Sequence, residues 1–256
     1  MNAVRVLAAG WVIQTRQLLS SGFFLLLATV QPLLLTTVAC LLFRGGGRAD
    51  ALLYAAVGSG MLSVWSTTLI GSGQALTLLR AAGLLELLIA APVPFPLVLA
   101  PMTVATASVG LYGIVAALGW GALVFHVPIT VAHPGLLALA VVMTVLALGL
   151  FGLVLASVFV RFRYANALTN LFDYPVWLLS GMLVPTGVLP DWLRPLAWVL
   201  PSTWGVRAIR ESMVGGRPVL AIGALIVLAG AYLALGVVTI RIFAGLALRR
   251  ATLALS

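Results

Sequence analysis

The chain contains no lysine. All 14 of its basic residues are arginine, only 5 residues are acidic, and charged side chains make up 7% of the 256 residues. A soluble domain carries about 25%. Without lysine there can be no phosphate-cradling loop of the form GxxxxGK[ST], because that lysine is the group that reaches the β- and γ-phosphates. ATP chemistry of that kind must come from a partner. The single cysteine, Cys40, excludes an intrachain disulfide. Set in an apolar run, it reads as a small buried hydrophobe. His126 and His133 flank one turn with no further ligand near them in sequence, so no metal site is expected. The net charge of +9 is spread along the chain rather than clustered. That pattern suits interfacial anchors in a lipid surface and argues against a nucleic-acid partner.

What the chain does have is apolar length. Hydrophobic residues make up 63% of it and its mean hydropathy is +1.21. No water-soluble fold of this size could hide so much apolar surface, so the natural solvent is a bilayer, which a helix crosses with about 20 mostly apolar residues. Six such stretches stand out: 22–43, 51–73, 95–125, 135–160, 167–188 and 219–243. Pro32 is expected to kink the first. The first polar-to-apolar transition, near residue 20, leads into a run of full spanning length rather than a cleavable signal peptide. The expectation is an all-α polytopic membrane protein forming a single domain over 1–256, without repeats or linkers. Strict GxxxG pairs are missing, but Thr106 with Gly110 and Ala117 with Gly121 offer small residues for close helix packing.

Three segments are neither spans nor ordinary loops. Residues 3–19 place Arg5 and Arg16 on one helical face and Val4, Leu7, Trp11 and Leu18 largely on another, the pattern of a helix lying in the membrane surface. Residues 78–92 begin near Arg80, continue through Gly83 and Glu86, and stop at Pro92, since proline ends helices. The result is a short amphipathic helix held between two spans, suited to transmitting a push; the plainer alternative is a surface connector with no partner. Residues 189–214 are cut by Pro190, Pro195 and Pro201 into pieces too short to span, expected as helices over 191–200 and 203–214. Trp192, Trp198 and Trp204 suit the headgroup layer. Arg207, Arg210 and Glu211 make a polar stripe in which Arg207 and Glu211 can pair at i, i+4. This reads as an outer re-entrant hairpin between spans five and six; the alternative is a passive cap over the span ends.

With the N-terminus inside, the inner segments carry eight arginines and the outer ones six, four of the six in or just after the hairpin; setting the hairpin aside leaves eight against two. Both termini are therefore placed in the cytoplasm.

These motifs together resemble the type-2 ABC exporter permeases. Arg80, Gly83, the leucine-rich turn 84–88 and Pro92 match the family pattern after the second span. Ser180-Gly181, Pro185, Leu189-Pro190, Trp192-Leu193, Pro201, Thr203 and Arg210 match the late pattern. Among subfamilies the chain is most similar to the daunorubicin-resistance type. The resemblance implies a bacterial inner-membrane subunit that pairs with a second copy or a sister permease amid membrane lipids. It also implies a cytosolic ATPase partner that binds ATP and Mg and pushes on the helix around Arg80, Gly83, Glu86 and Pro92. The surface helix with Arg5, Trp11 and Arg16 would help hold that partner. Pro190, Trp192, Arg194, Pro201, Arg207, Arg210 and Glu211 would form an outer gate. The cargo would be an amphipathic drug, small molecule or lipid, and this chain would have no catalytic residue of its own.

Asp173 departs from the apolar fifth span. An intramembrane carboxylate is costly, so it is expected to face a translocation path or to pair with Arg161 or Arg163. Otherwise the span starts later and Asp173 sits at headgroup level. The competing functions are a lipid-modifying membrane enzyme, whose charges would have to gather near one leaflet, and a membrane assembly protein without nucleotide partners.

Overall fold

The computed structural model describes residues 3–44, 49–81, 83, 95–161 and 165–253. The helices, in chain order, are α1 (Ala3–Ser20), α2 (Gly22–Arg44), α3 (Ala49–Ala81), α4 (Phe95–Phe125), α5 (Pro134–Arg161) and α6 (Ala165–Leu179). A 3-10 turn (Thr186–Val188), α7 (Arg194–Val199), α8 (Pro201–Val214) and α9 (Pro218–Leu253) follow. Among the described residues every regular element is helical. That is what lipid demands, because a helix satisfies its backbone polar groups internally.

Helix α3 is the central post of the bundle. α2, α4, α5, α6 and α8 pack around it, α9 packs on α5 and α8, and α1 lies against α4. The stretch Ala51–Gly73 is the least apolar of the long spans and the most deeply buried. The two facts explain each other: a helix surrounded by protein need not be greasy, and Ser59, Ser63, Ser66, Thr67, Thr68 and Ser72 are all buried there. Most of these hydroxyls turn back on their own helix, as Ser59 Oγ does to the Ala55 carbonyl at 2.8 Å and Ser72 Oγ to the Thr68 carbonyl at 2.6 Å. Such back-bonding satisfies the hydroxyl at membrane depth and leaves no nucleophile poised.

Small residues set how closely α3 and α4 approach. A side-chain carbon at Gly60 would lie 2.7 Å from the Ile114 Cα, and one at Gly110 would lie 2.7 Å from the Val64 Cα. Thr106 occupies the space beside Gly71, and Ala117 that beside Gly60, so the small pairs picked out in α4 lie along this seam.

Among the described residues, four helices are long and apolar enough to cross a membrane: Ala51–Gly73, Pro96–Phe125, Pro134–Ser157 and Pro218–Ile240. They correspond to expected spans two, three, four and six. The expected first span lies within α2, whose apolar stretch Ala28–Phe43 is shorter, and the helix continues through Pro32. The fifth differs from expectation. α6 has 15 residues, about 22 Å of helix, and it ends before the Ser180-Gly181 turn rather than running to 188. Gly181 adopts a φ of +75°, a left-handed conformation that suits glycine and redirects the chain.

Candidate functional site

The segment after α6 folds as a series of short pieces, each stopped or started by proline. α7 is shorter than expected, because residues 191–193 form a turn. α8 begins at Pro201, two residues earlier than expected; proline suits the first turn of a helix because its missing N–H would have no partner there. It ends at Gly215, whose φ of +86° closes the helix while its N–H and that of Gly216 both donate to the Glu211 carbonyl.

α8 is wedged into the bundle rather than laid over it. It packs against α5, α9 and α3, with Val206, Ile209, Ser212 and Met213 buried. A side-chain carbon at Gly205 would lie 3.0 Å from the Met61 Cε and 2.5 Å from the Thr144 Cγ2, so only glycine permits this depth. The loop before α5 is stitched to its far end: the N–H groups of Ala132 and His133 donate to the Met213 and Ser212 carbonyls at 3.1 and 3.0 Å. Trp204 Nε1 donates to the Trp198 carbonyl at 2.8 Å, and the Tyr232 hydroxyl on α9 donates to the Val199 carbonyl. Pro190 and Trp192 sit exposed at the tip, where Arg194 bonds Asp191 at 2.7 Å and the Gly187 carbonyl at 3.2 Å.

Arg210 is the junction of this region. Its guanidinium donates to the carbonyls of Gly181 at 2.9 Å, Tyr54 at 2.8 Å and Met182 at 3.3 Å. It stacks on the Tyr54 ring, whose hydroxyl donates to the Gly181 carbonyl at 2.5 Å. Among the described residues no carboxylate pairs with it; three carbonyl dipoles and an aromatic face compensate the charge instead. Burial lowers its pKa to about 10, so it remains cationic at neutral pH. Gly58 makes the arrangement possible, since a side-chain carbon there would run into the Met182 carbonyl and lie 2.9 Å from Arg210 Nη2. Arg207, by contrast, is exposed and pairs with Glu211 at 2.7 Å across one helical turn. A cavity of about 270 Å3 opens here, walled by Tyr54, Ser180, Trp198, Trp204, Arg207 and Glu211. Six buried polar side-chain atoms in this region have no hydrogen-bond partner among the described residues: Ser180 Oγ, Arg194 Nε, Ser202 Oγ, Thr203 Oγ1, Arg210 Nε and Glu211 Oε2.

At the opposite end of α3, Gly83 is exposed with a φ of +65°, a turn conformation just past the helix end. The Arg80 side chain, Glu86 and Pro92 lie outside the described residues, and so does most of the expected 78–92 helix. α1 packs on the half of α4 nearest this end: Trp11 Nε1 donates to Ser108 Oγ at 3.2 Å, and a side-chain carbon at Gly10 would meet the Pro101 ring at 2.9 Å. Arg5 and Arg16 are both exposed.

Asp173 is half-buried in the middle of α6. Trp177 Nε1 donates to its Oδ1 at 2.8 Å and Ser66 Oγ does so at 3.4 Å. Ser66 lies well inside the span Ala51–Gly73, about 10 Å from its Gly73 end. Asp173 therefore meets α3 within the stretch that is long and apolar enough to span. The Arg161 side chain and Arg163 lie outside the described residues. His126 and His133 do not form part of any metal-binding group among the described residues.

Sequence reasoning missed Tyr54, Gly58 and Tyr232, the groups that receive or admit the hairpin. A tyrosine within one turn of a span end was the only available signal, and for Tyr54 alone.

Residues 6–214 match the family model described as ABC-2 type transporter. The matched region runs from the start of α1 to the end of α8, taking in both the central post and the hairpin. No curated protein matches the chain.

Proposed function

The chain belongs to the ABC-2 type transporter family, and from that membership we propose that it works as the membrane half of an exporter driven by a separate ATPase. It is a multi-pass permease subunit. The proposed cargo is an amphipathic small molecule, drug or lipid-like compound, carried out of a bacterial cytoplasm by alternating access between this chain and a second permease. α2 and α6 complete six crossings in this reading, with both termini inside. The lysine-free chain leaves ATP and Mg to the partner, whose closure pushes on the segment 78–92.

The observation that carries the proposal is the continuity of α3. One 33-residue helix, about 50 Å long, runs from the Arg210 junction near its start to the elbow at Gly83. A push at the inner elbow therefore has a stiff path to the hairpin. Polar atoms left unpaired around the hairpin support a gate, since another arrangement of the same groups can satisfy them. In this reading α1, which packs on the first half of α4, helps hold the ATPase.

A lipid-modifying enzyme is less well supported. Asp173 meets α3 at Ser66 and the hairpin meets it at Tyr54, about 18 Å apart along the helix, so these charges do not gather into one cluster. Because α8 is part of the core, the exposed tip tests the assignment: with Trp192→Ala and Arg194→Ala together, export should be lost while the ATPase still co-purifies. Loss of co-purification would place the docking surface on the hairpin and overturn the reading.

A further inference from the structure

A polar cavity and an apolar groove are bordered by one short segment beside the hairpin. The cavity, about 270 Å3, is lined by Ser180, Pro185 and Gly187, whose chain neighbours Leu179, Val184 and Val188 line a groove of about 610 Å3. Along α6 the groove continues over Tyr174 and Leu178, both exposed. Pockets for drug-sized molecules run to about 300–1,000 Å3, so the cavity suits a headgroup better than a whole amphiphile, and the groove suits its chain. Trp198 and Trp204 also line the cavity, and tryptophan is enriched at headgroup level.

The charges select the headgroup. Two arginines and one glutamate line the cavity, which leaves it one positive charge. Arg207 gives only its Nε to Glu211, and its guanidinium stands over the Trp204 ring, 5.8 Å from the centroid. Among the described residues its two terminal nitrogens donate to nothing. Guanidinium N–H groups fixed in one plane fork onto the oxygens of a phosphate. Arg210 Nε and the hydroxyls of Ser180 and Thr203, in the same walls, also lack partners there, and so does the acceptor Glu211 Oε2. A phosphodiester with a hydroxylated headgroup brings one negative charge, several acceptor oxygens and a donor for Glu211. We propose that cavity and groove together bind one phospholipid of the surrounding bilayer, its phosphodiester on Arg207, its headgroup hydroxyls toward Glu211 and an acyl chain along α6. The site needs only a membrane setting and does not depend on the export reading.

Native mass spectrometry of the delipidated full-length permease, titrated with dioleoylphosphatidylglycerol, tests this by counting bound lipids at each oligomeric mass. Wild type should take up one lipid per chain well before any others add. Dioleoylglycerol, which has the same chains and no phosphodiester, should not fill that site, and inorganic phosphate should not displace the lipid. Arg207→Gln should weaken the first binding by about tenfold or more, as for loss of a charged donor. Val188→Asn, in the exposed wall of the groove, should weaken it several-fold. Arg217→Gln removes an exposed arginine just past α8 that borders neither space, and should leave it unchanged. The site is overturned if no first lipid stands apart, if dioleoylglycerol binds as well, or if Arg207→Gln retains wild-type binding. Equal weakening by Arg207→Gln and Arg217→Gln would show diffuse charge attraction, and displacement by inorganic phosphate a site for the free anion. A change in oligomeric mass with Val188→Asn, at unchanged lipid retention, would show that a second copy covers the groove. Each of these three results also overturns the site.

Discussion

The Arg210 guanidinium carbon lies 3.2 Å from the centroid of the Tyr54 ring. With its bonds to the Tyr54, Gly181 and Met182 carbonyls, this contact joins the hairpin helix, the first turns of α3 and the turn after α6 at one point. Hydrogen bonds from a charged donor contribute about 1.5–3 kcal/mol each, and buried acceptors left unpaired add to the cost of losing one. Arg210→Ala should therefore destabilise the protein by at least about 3 kcal/mol, read as a lower thermal midpoint in detergent, and should abolish transport. Arg210→Lys should recover only part of either, because an ammonium cannot fork to several carbonyls or stack as a plane.

Gly58→Ala should be as damaging as Arg210→Ala despite adding one methyl group, since that carbon would meet the Met182 carbonyl and Arg210. Gly230→Ala, where nothing stands within 4 Å, should leave thermal stability unchanged or slightly raised. Thermal unfolding of the two variants side by side reads the difference. Equal midpoints would show that the close approach at Gly58 does not limit packing.

The Arg207–Glu211 pair should matter less to stability than the Arg210 junction, since Arg207 is exposed and only Glu211 is half-buried. Exposed pairs one helical turn apart contribute about 0.3–0.5 kcal/mol. Arg207→Gln should shift the unfolding midpoint by no more than a degree or two by that estimate, well short of the loss at Arg210, and salt should shrink the effect further.

The contrast between these two arginines shows what the sequence could reveal. Both fall on one polar stripe of an amphipathic helix; the i, i+4 spacing offered Arg207 a partner in Glu211 but gave no destination for Arg210. Only the position of α8 in the bundle does so: one side chain faces out, and the other meets a tyrosine more than 150 residues earlier in the chain. The helical class and four long spans were legible because lipid enforces long apolar runs. The early end of α6 was not, because Ser180 and Gly181 interrupt a run whose composition stays apolar on both sides. The depth of α8 was hidden for the opposite reason. Ser202, Thr203 and Ser212 suggest a wet surface, yet all three are buried.

At the Gly83 end of the bundle, Gly10→Leu should lift α1 from the Pro101 ring and weaken retention of the ATPase in a pull-down several-fold, without altering the hairpin. Unchanged retention would remove α1 from the docking surface.

Coupling through α3 is tested most directly by watching the hairpin while ATP is turned over at the far end. Spin labels on cysteines replacing Trp192 at the exposed tip and Leu123 near the C-terminal end of α4 report the distance across the hairpin end of the bundle, and the native Cys40 is buried away from label. The permease with its ATPase should show a change in that distance on adding ATP and Mg, and the permease alone should show none. A change in the permease alone, or an unmoved hairpin in a complex that hydrolyses ATP and transports, would contradict a conduit driven from its inner elbow.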